Sequence, residues 1–233
     1  MFEYIVIGIL IIIIPISTLY FYEKGKKQGA KSFFELIANF GYTSKVKTFK
    51  SLNKDVPKGG IVFVGDSITQ DYNVYEHFPG KLIYNRGIGG DTTEGLLKRM
   101  DVSIHELKPS VVILLMGTND FALLNATPEE VFERMNRIVN EIKNHHPETK
   151  ILLESIYPVN ETIDPTTVLP RTNQMIDQLN SMLKTVEGVT YIDLSSKLKD
   201  TEGRFNRLYT LEGLHVSPEG YQLITHELMR YLS

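Results

Sequence analysis

The chain has 233 residues, enough for one domain of ordinary size plus an appendage. A net charge of -3 argues against a nucleic-acid partner, and 42% hydrophobic residues suffice for a real core. There is no cysteine, which excludes disulfides, thiolate metal sites and a cysteine nucleophile.

In chain order, the first element is apolar on every face. Tyr4 to Tyr22, "YIVIGILIIIIPISTLYFY", is 19 residues without a charge. As a helix it reaches roughly 28 Å, close to the hydrocarbon thickness of a bilayer. No small-x-small cleavage site follows it, so residues 1–22 are expected to be an uncleaved single-pass membrane anchor rather than a signal peptide. Lys24, Lys26, Lys27 and Lys31 come after the span, and the positive-inside rule then puts the remainder on the cytoplasmic side. Residues 23–58 are polar and Lys-rich and read as a stalk with a lead-in helix, mostly a solvated connector. Residues 59–233 read as the main domain.

In that domain short apolar runs alternate with helix-period segments. The runs are "GIVFVGDS", "KLIYNRGIGG", "SVVILLMGTND", "KILLESIYP" and "VTYIDLSS". Among the helical segments, "TPEEVFERMNRIVNEIKNHH" has Thr127 as N-cap, Pro128 in the first turn and acids beside it. Apolar strands separated by helices predict parallel pairing with helices on both faces, an α/β/α three-layer sandwich on a five-stranded parallel sheet. Ligands bind such sheets at the C-terminal ends of the strands. Four polar turns, "GDS", "NRGIGGDTT", "GTND" and "YPVN", fall on that edge.

Ser67 ends the first run, where it would project toward this edge. A serine needs a neighbouring base to act as a nucleophile, and by itself "GDS" reads as a helix N-cap before it reads as a nucleophile. Acyl transfer also needs donors aimed at an oxyanion. The Ser67 amide, the Gly90 amide in a turn without a Cβ, and the side-chain amide of Asn119 are the candidates. Near the C-terminus, "LEGLH" sets Glu212 three residues ahead of His215, just before a helix. No "GxxxxGK[ST]" or "GxGxxG" occurs, so neither a P-loop nor a dinucleotide fingerprint is present.

"FVGDSIT", "NRGIGGDTT", "LLMGTND" and "EGLH" come in the order and rough spacing of the four blocks of the SGNH, or GDSL, hydrolases, and the chain resembles that family over residues 60–233. The stretch "NRGIGGDTTEGLLKRM" is most similar to the branch related to platelet-activating-factor acetylhydrolase. The resemblance implies a flavodoxin-like sandwich and a serine esterase or lipase acting on small esters or lipids without a cofactor. It makes Ser67 the nucleophile, His215 the base, and the Ser67 amide, Gly90 and Asn119 the oxyanion hole. The family has Asp-x-x-His where this chain has Glu212. The extra methylene moves the carboxylate by ~1.5 Å unless the turn adjusts. Either Glu212 completes a triad or His215 works in a dyad beside a solvated acid.

Asp66, Asp91 and Asp120 flank the expected site as supporting or capping groups. His77, His105, His145, His146 and His226 are expected on solvated surface, and no three-ligand metal cluster is expected. Two other readings use the same residues: an envelope-glycan O-deacetylase or transacylase, and an inactive ligand-binding module.

Overall fold

The computed structural model describes residues 22, 24–26, 29 and 36–232. The chain divides into two compact units, Met1–Thr43 and Ser44–Ser233. In the first, residues 36–43 are helical and none is buried. Apart from the exposed Tyr22, the expected span over 4–22 lies outside the described residues. No helix among the described residues is long and apolar enough to cross a membrane.

The second unit begins with helical residues 44–52 (α1), so the division between units comes earlier than the expected 58/59 boundary. Phe49 and Asn53 are buried. The Asn53 amide donates to the Val102 carbonyl at 2.7 Å and to Glu106 at 2.8 Å, and accepts from Arg86 at 2.8 Å. The Arg86 guanidinium lies 4.7 Å from the centroid of the Phe49 ring. Lysine content made this stretch look like a solvated connector, but one apolar residue and one amide turn a face of it inward.

The strands are Ile61–Gly65 (β1), Ile83–Gly87 (β2), Val111–Leu115 (β3), Lys150–Glu154 (β4) and Thr190–Ile192 (β5). They form one parallel sheet in the order β2-β1-β3-β4-β5. Val62–Gly65, Val112–Leu115 and Ile151–Glu154 are buried throughout, as both faces of a parallel sheet are covered. After α1 the helices are Ser67–Asp71 (α2), Val74–His77 (α3), Thr93–Leu97 (α4), Met100–Ser103 (α5), Thr118–Leu123 (α6), Pro128–His145 (α7), Pro165–Val168 (α8), Asn173–Leu183 (α9), Ser195–Leu198 (α10) and Pro218–Met229 (α11).

The order reverses direction at β1, and right-handed crossovers therefore send helices to opposite faces. On one face α2 meets α11. Tyr72, which closes α2, stacks on Tyr221 at 4.7 Å, and the Tyr221 hydroxyl donates to the Ile68 carbonyl at 2.8 Å. On the other, Arg134 of α7 pairs with Glu94 of α4 at 3.2 Å, and Gln178 of α9 donates to Glu129 of α7 at 2.6 Å. The α7 start follows the expected chemistry. The Thr127 hydroxyl accepts from the Glu130 amide at 3.3 Å, and the Glu130 carboxylate accepts from the Thr127 amide at 2.8 Å. Such a cap contributes about 1 kcal/mol. Val131, Met135, Ile138, Val139 and Ile142 then bury one stripe of the helix.

Candidate active site

The β1, β2 and β3 strands lie side by side, so the turns that leave them share one edge. Ser67 is the first residue of α2, directly after β1. Gly90 follows β2, with a φ of 73° that suits glycine. Asn119 lies in the first turn of α6, after β3. His215 comes from a loop far along the chain, yet its Nε2 is 3.0 Å from the Ser67 Oγ.

The Glu212 carboxylate meets His215 twice. Its Oε1 is 2.5 Å from Nδ1 and accepts from the His215 backbone N–H at 3.1 Å. With Nδ1–H donating to the carboxylate, the Nε2 lone pair is left facing the serine hydroxyl. The longer side chain fits because the turn is built around it. Gly213 has a φ of 100°, and a Cβ there would come within 2.2 Å of the Asn160 carbonyl oxygen. The Asn160 amide donates to the Gly213 carbonyl at 2.8 Å, which ties the loop to the segment after β4. The Thr210 hydroxyl donates to the His215 carbonyl at 2.7 Å and accepts from the Gly213 amide at 2.9 Å. The backbone of "TLEGLH" is thereby closed on itself, with the Glu212 and His215 side chains about a third exposed.

Asn119 is held at both ends of its amide. Its Oδ1 accepts from Arg171 Nη2 at 2.8 Å and its Nδ2 donates to the Asp91 carbonyl at 3.0 Å. A primary amide has two N–H donors, so one remains. Arg171 is itself fixed, donating through Nε to the Thr118 carbonyl at 2.9 Å.

The three expected supporting aspartates do separate jobs. Asp66 caps α2, accepting from the Ile68 amide at 3.0 Å. It is fully buried, and burial pushes its carboxyl up to about 7, against the pull of the Ile68 hydrogen bond. Asp91 pairs with the buried Arg99 at 2.7 Å. Arg99 also donates to the carbonyls of Arg86 (2.8 Å) and Gly65 (3.0 Å), clamping the ends of β1 and β2 to the Gly90 turn. Burial raises the Asp91 carboxyl while the Arg99 charge lowers it. Asp120 accepts from the Thr93 amide at 3.0 Å, from the Thr93 hydroxyl, and from Arg134 at 3.3 Å. It joins the "GTND" turn to the start of α4. A narrow cleft lined by Asp66, Ile68, Leu115, Thr118, Ile156, Tyr157 and Leu214 adjoins these residues.

Sequence reasoning passed over Arg99, Arg171, Asn160 and Thr210. Arg99 and Asn160 lie inside the stretches "NRGIGGDTTEGLLKRM" and "YPVN" without a role assigned to them, Arg171 and Thr210 stand in no recognisable spacing, and all but Thr210 work through contacts across the fold. It also placed the histidines on solvated surface, which holds for His226 and His145, whose side chains are 81% and 52% exposed. His77 bonds Thr225 at 3.0 Å. His105 is nine-tenths buried and, with Glu141 and His145, forms a group of potential metal ligands, which corrects the expectation that no three-ligand cluster is present: His105 and the α7 residues are far apart in the chain and meet only in the fold.

Comparison with known proteins gives the family and the fold. A family model described as GDSL-like Lipase/Acylhydrolase family matches residues 63–223. The platelet-activating factor acetylhydrolase IB subunit alpha2 of Rattus norvegicus is 30% identical over 181 residues, covering 74% of this chain and 76% of its own length. A solved structure from Streptococcus pneumonia described as a platelet activating factor superposes with a TM-score of 0.81 at 30% identity, over 88% of this chain and 98% of that one. A lipase/acylhydrolase from Enterococcus faecalis superposes with a TM-score of 0.64 at 25% identity, over 76% and 95%.

Proposed function

The chain belongs to the GDSL-like lipase/acylhydrolase family and is a carboxylic ester hydrolase, and from that premise we propose that it releases small acyl groups from lipid or sugar esters through an acyl-enzyme on Ser67. The observation that carries the reading is the Ser67–His215–Glu212 relay, with contacts of 3.0 and 2.5 Å.

In this mechanism the Ser67 Oγ attacks the ester carbonyl carbon and its proton passes to His215 Nε2. Glu212 stabilises the imidazolium that forms. The Ser67 and Gly90 amides and the remaining Asn119 N–H hold the oxyanion. As the tetrahedral intermediate collapses, the C–O bond to the alcohol breaks and His215 returns the proton to the departing oxygen. Water then attacks the acyl-enzyme, giving its proton to His215, and the acid leaves as Ser67 is reprotonated. An inactive binding module would have no use for an aligned relay. The acetylhydrolase relative supports a short acyl group. The uncharged run from Tyr4 to Tyr22 supports an uncleaved membrane anchor, which suits a lipid ester.

The test is hydrolysis of p-nitrophenyl acetate and butyrate by the full-length protein. Acetate is expected to be the faster substrate, and Ser67→Ala is expected to lose at least ~10³-fold in kcat. A Ser67→Ala variant as fast as the wild type would overturn the reading.

A further inference from the structure

We propose that His105, Glu141 and His145 form a binding site for a divalent transition-metal ion of the Zn²⁺ class, apart from the esterase centre. Glu141 and His145 stand four residues apart in the last turns of α7, a spacing that puts both side chains on one helix face. His105 reaches the same point from the 3₁₀ turn His105–Leu107. Glu141 Oε1 is 3.9 Å from His105 Nε2 and 3.8 Å from His145 Nδ1. All three ligand atoms lie within 4.8 Å of one another. Zn–N and Zn–O bonds of about 2.0–2.2 Å set tetrahedral ligands roughly 3.4 Å apart. The His145 Nδ1 also lies 3.0 Å from the Glu141 carbonyl, a contact that a rotation of this ring, 52% exposed, would give up as Glu141, 45% exposed, turns with it to close the difference.

An independent observation points the same way. The His105 side chain is only 10% exposed, and both of its buried ring nitrogens lack a hydrogen-bond partner among the described residues. Buried imidazole nitrogens are ordinarily satisfied, and leaving one bare costs free energy. The rings of His105 and His145 stack at 4.2 Å, and that of His146 lies 5.3 Å from His105. Three imidazolium ions would repel one another at this range. Burial, together with the neighbouring His145 and His146, lowers the His105 pKa, so the uncharged, metal-binding form is favoured.

Two imidazoles and a carboxylate suit Zn²⁺ and its neighbours and do not suit Ca²⁺ or Mg²⁺, which take oxygen ligands. Helix α7 runs back from the C-terminal edge of the sheet, and His105 precedes β3. The cluster therefore sits at the edge opposite Ser67, and an ion there would brace the fold without entering the ester chemistry.

The experiment uses the full-length protein, treated with chelator and then titrated with Zn²⁺ and with Co²⁺. The expected result is one ion per chain, visible Co²⁺ bands of low coordination number, and a higher unfolding temperature with Zn²⁺. The double variant Glu141→Gln/His145→Asn changes only half-exposed side chains and should keep its metal-free esterase rate. It should bind Zn²⁺ at least roughly tenfold more weakly. His105→Gln, checked by circular dichroism for folding, should do the same. A folded wild type that takes up no Zn²⁺, or uptake unchanged in the double variant, would overturn the proposal.

Discussion

Glu212 carries one methylene more than the aspartate of its family's motif, and the structure shows where that length goes. Its carboxylate bridges the Nδ1 and the backbone N–H of His215. Glu212→Asp draws the carboxylate back by ~1.5 Å, which opens the 2.5 Å contact. The expected outcome is a fall in kcat of roughly tenfold or more with little change in KM, read by steady-state ester hydrolysis. A faster Glu212→Asp enzyme would mean that the glutamate is a compromise. Arg171 acts one step further out, by fixing the Asn119 amide so that its nitrogen faces the site. Arg171→Met is expected to lower kcat roughly 10- to 100-fold while KM holds, because only the transition state carries the oxyanion. Arg171→Lys should recover part of the loss. Ser67, Asn119 and His215 were legible because motifs mark them. Arg171 was not, because a lone arginine after a proline looks like any surface arginine until the fold buries it.

At the scale of elements, the site depends on turns more than on helices. The 210–216 turn presents both His215 and Glu212, and Gly213 lets it pass close to Asn160. Gly213→Ala meets a carbonyl oxygen at 2.2 Å from a backbone with φ of 100°. A cost of about 2–4 kcal/mol is expected, seen as a lower unfolding temperature together with lost esterase rate. Gly203→Ala is the matched control, since Gly203 also has a positive φ, 76°, but nothing lies within 4 Å of its added Cβ. Strand and helix positions were readable from apolar runs and from the Thr127 cap. The closure of the turn was not, since Thr210 is an ordinary polar residue until the turn folds, and Asn160 finds its partner only when the segment after β4 meets the C-terminal loop.

At the scale of the molecule, the compact unit from Ser44 includes part of the segment that composition marks as a stalk. A chain beginning at Ser44 is expected to keep the unfolding temperature and esterase rate of the full-length protein, and to leave the membrane fraction if residues 4–22 anchor it. A chain beginning at Gly59 lacks Phe49 and Asn53 and should unfold several degrees lower in a thermal melt. The sequence by itself determined the α/β class and the strand-end turns, and it singled out the residues proposed as nucleophile, base and oxyanion donors. Those are local properties, set by periodicity and by which side chains can do acyl transfer. Only the tertiary structure decided that Glu212 reaches His215, that Arg171 orients Asn119, that residues 44–53 dock, and that His105 meets Glu141 and His145. The first is the closure of one turn, held from outside by the Asn160 amide on the Gly213 carbonyl, and the others are meetings of distant segments. Spacing along the chain carries no information about such a meeting until packing brings the segments together.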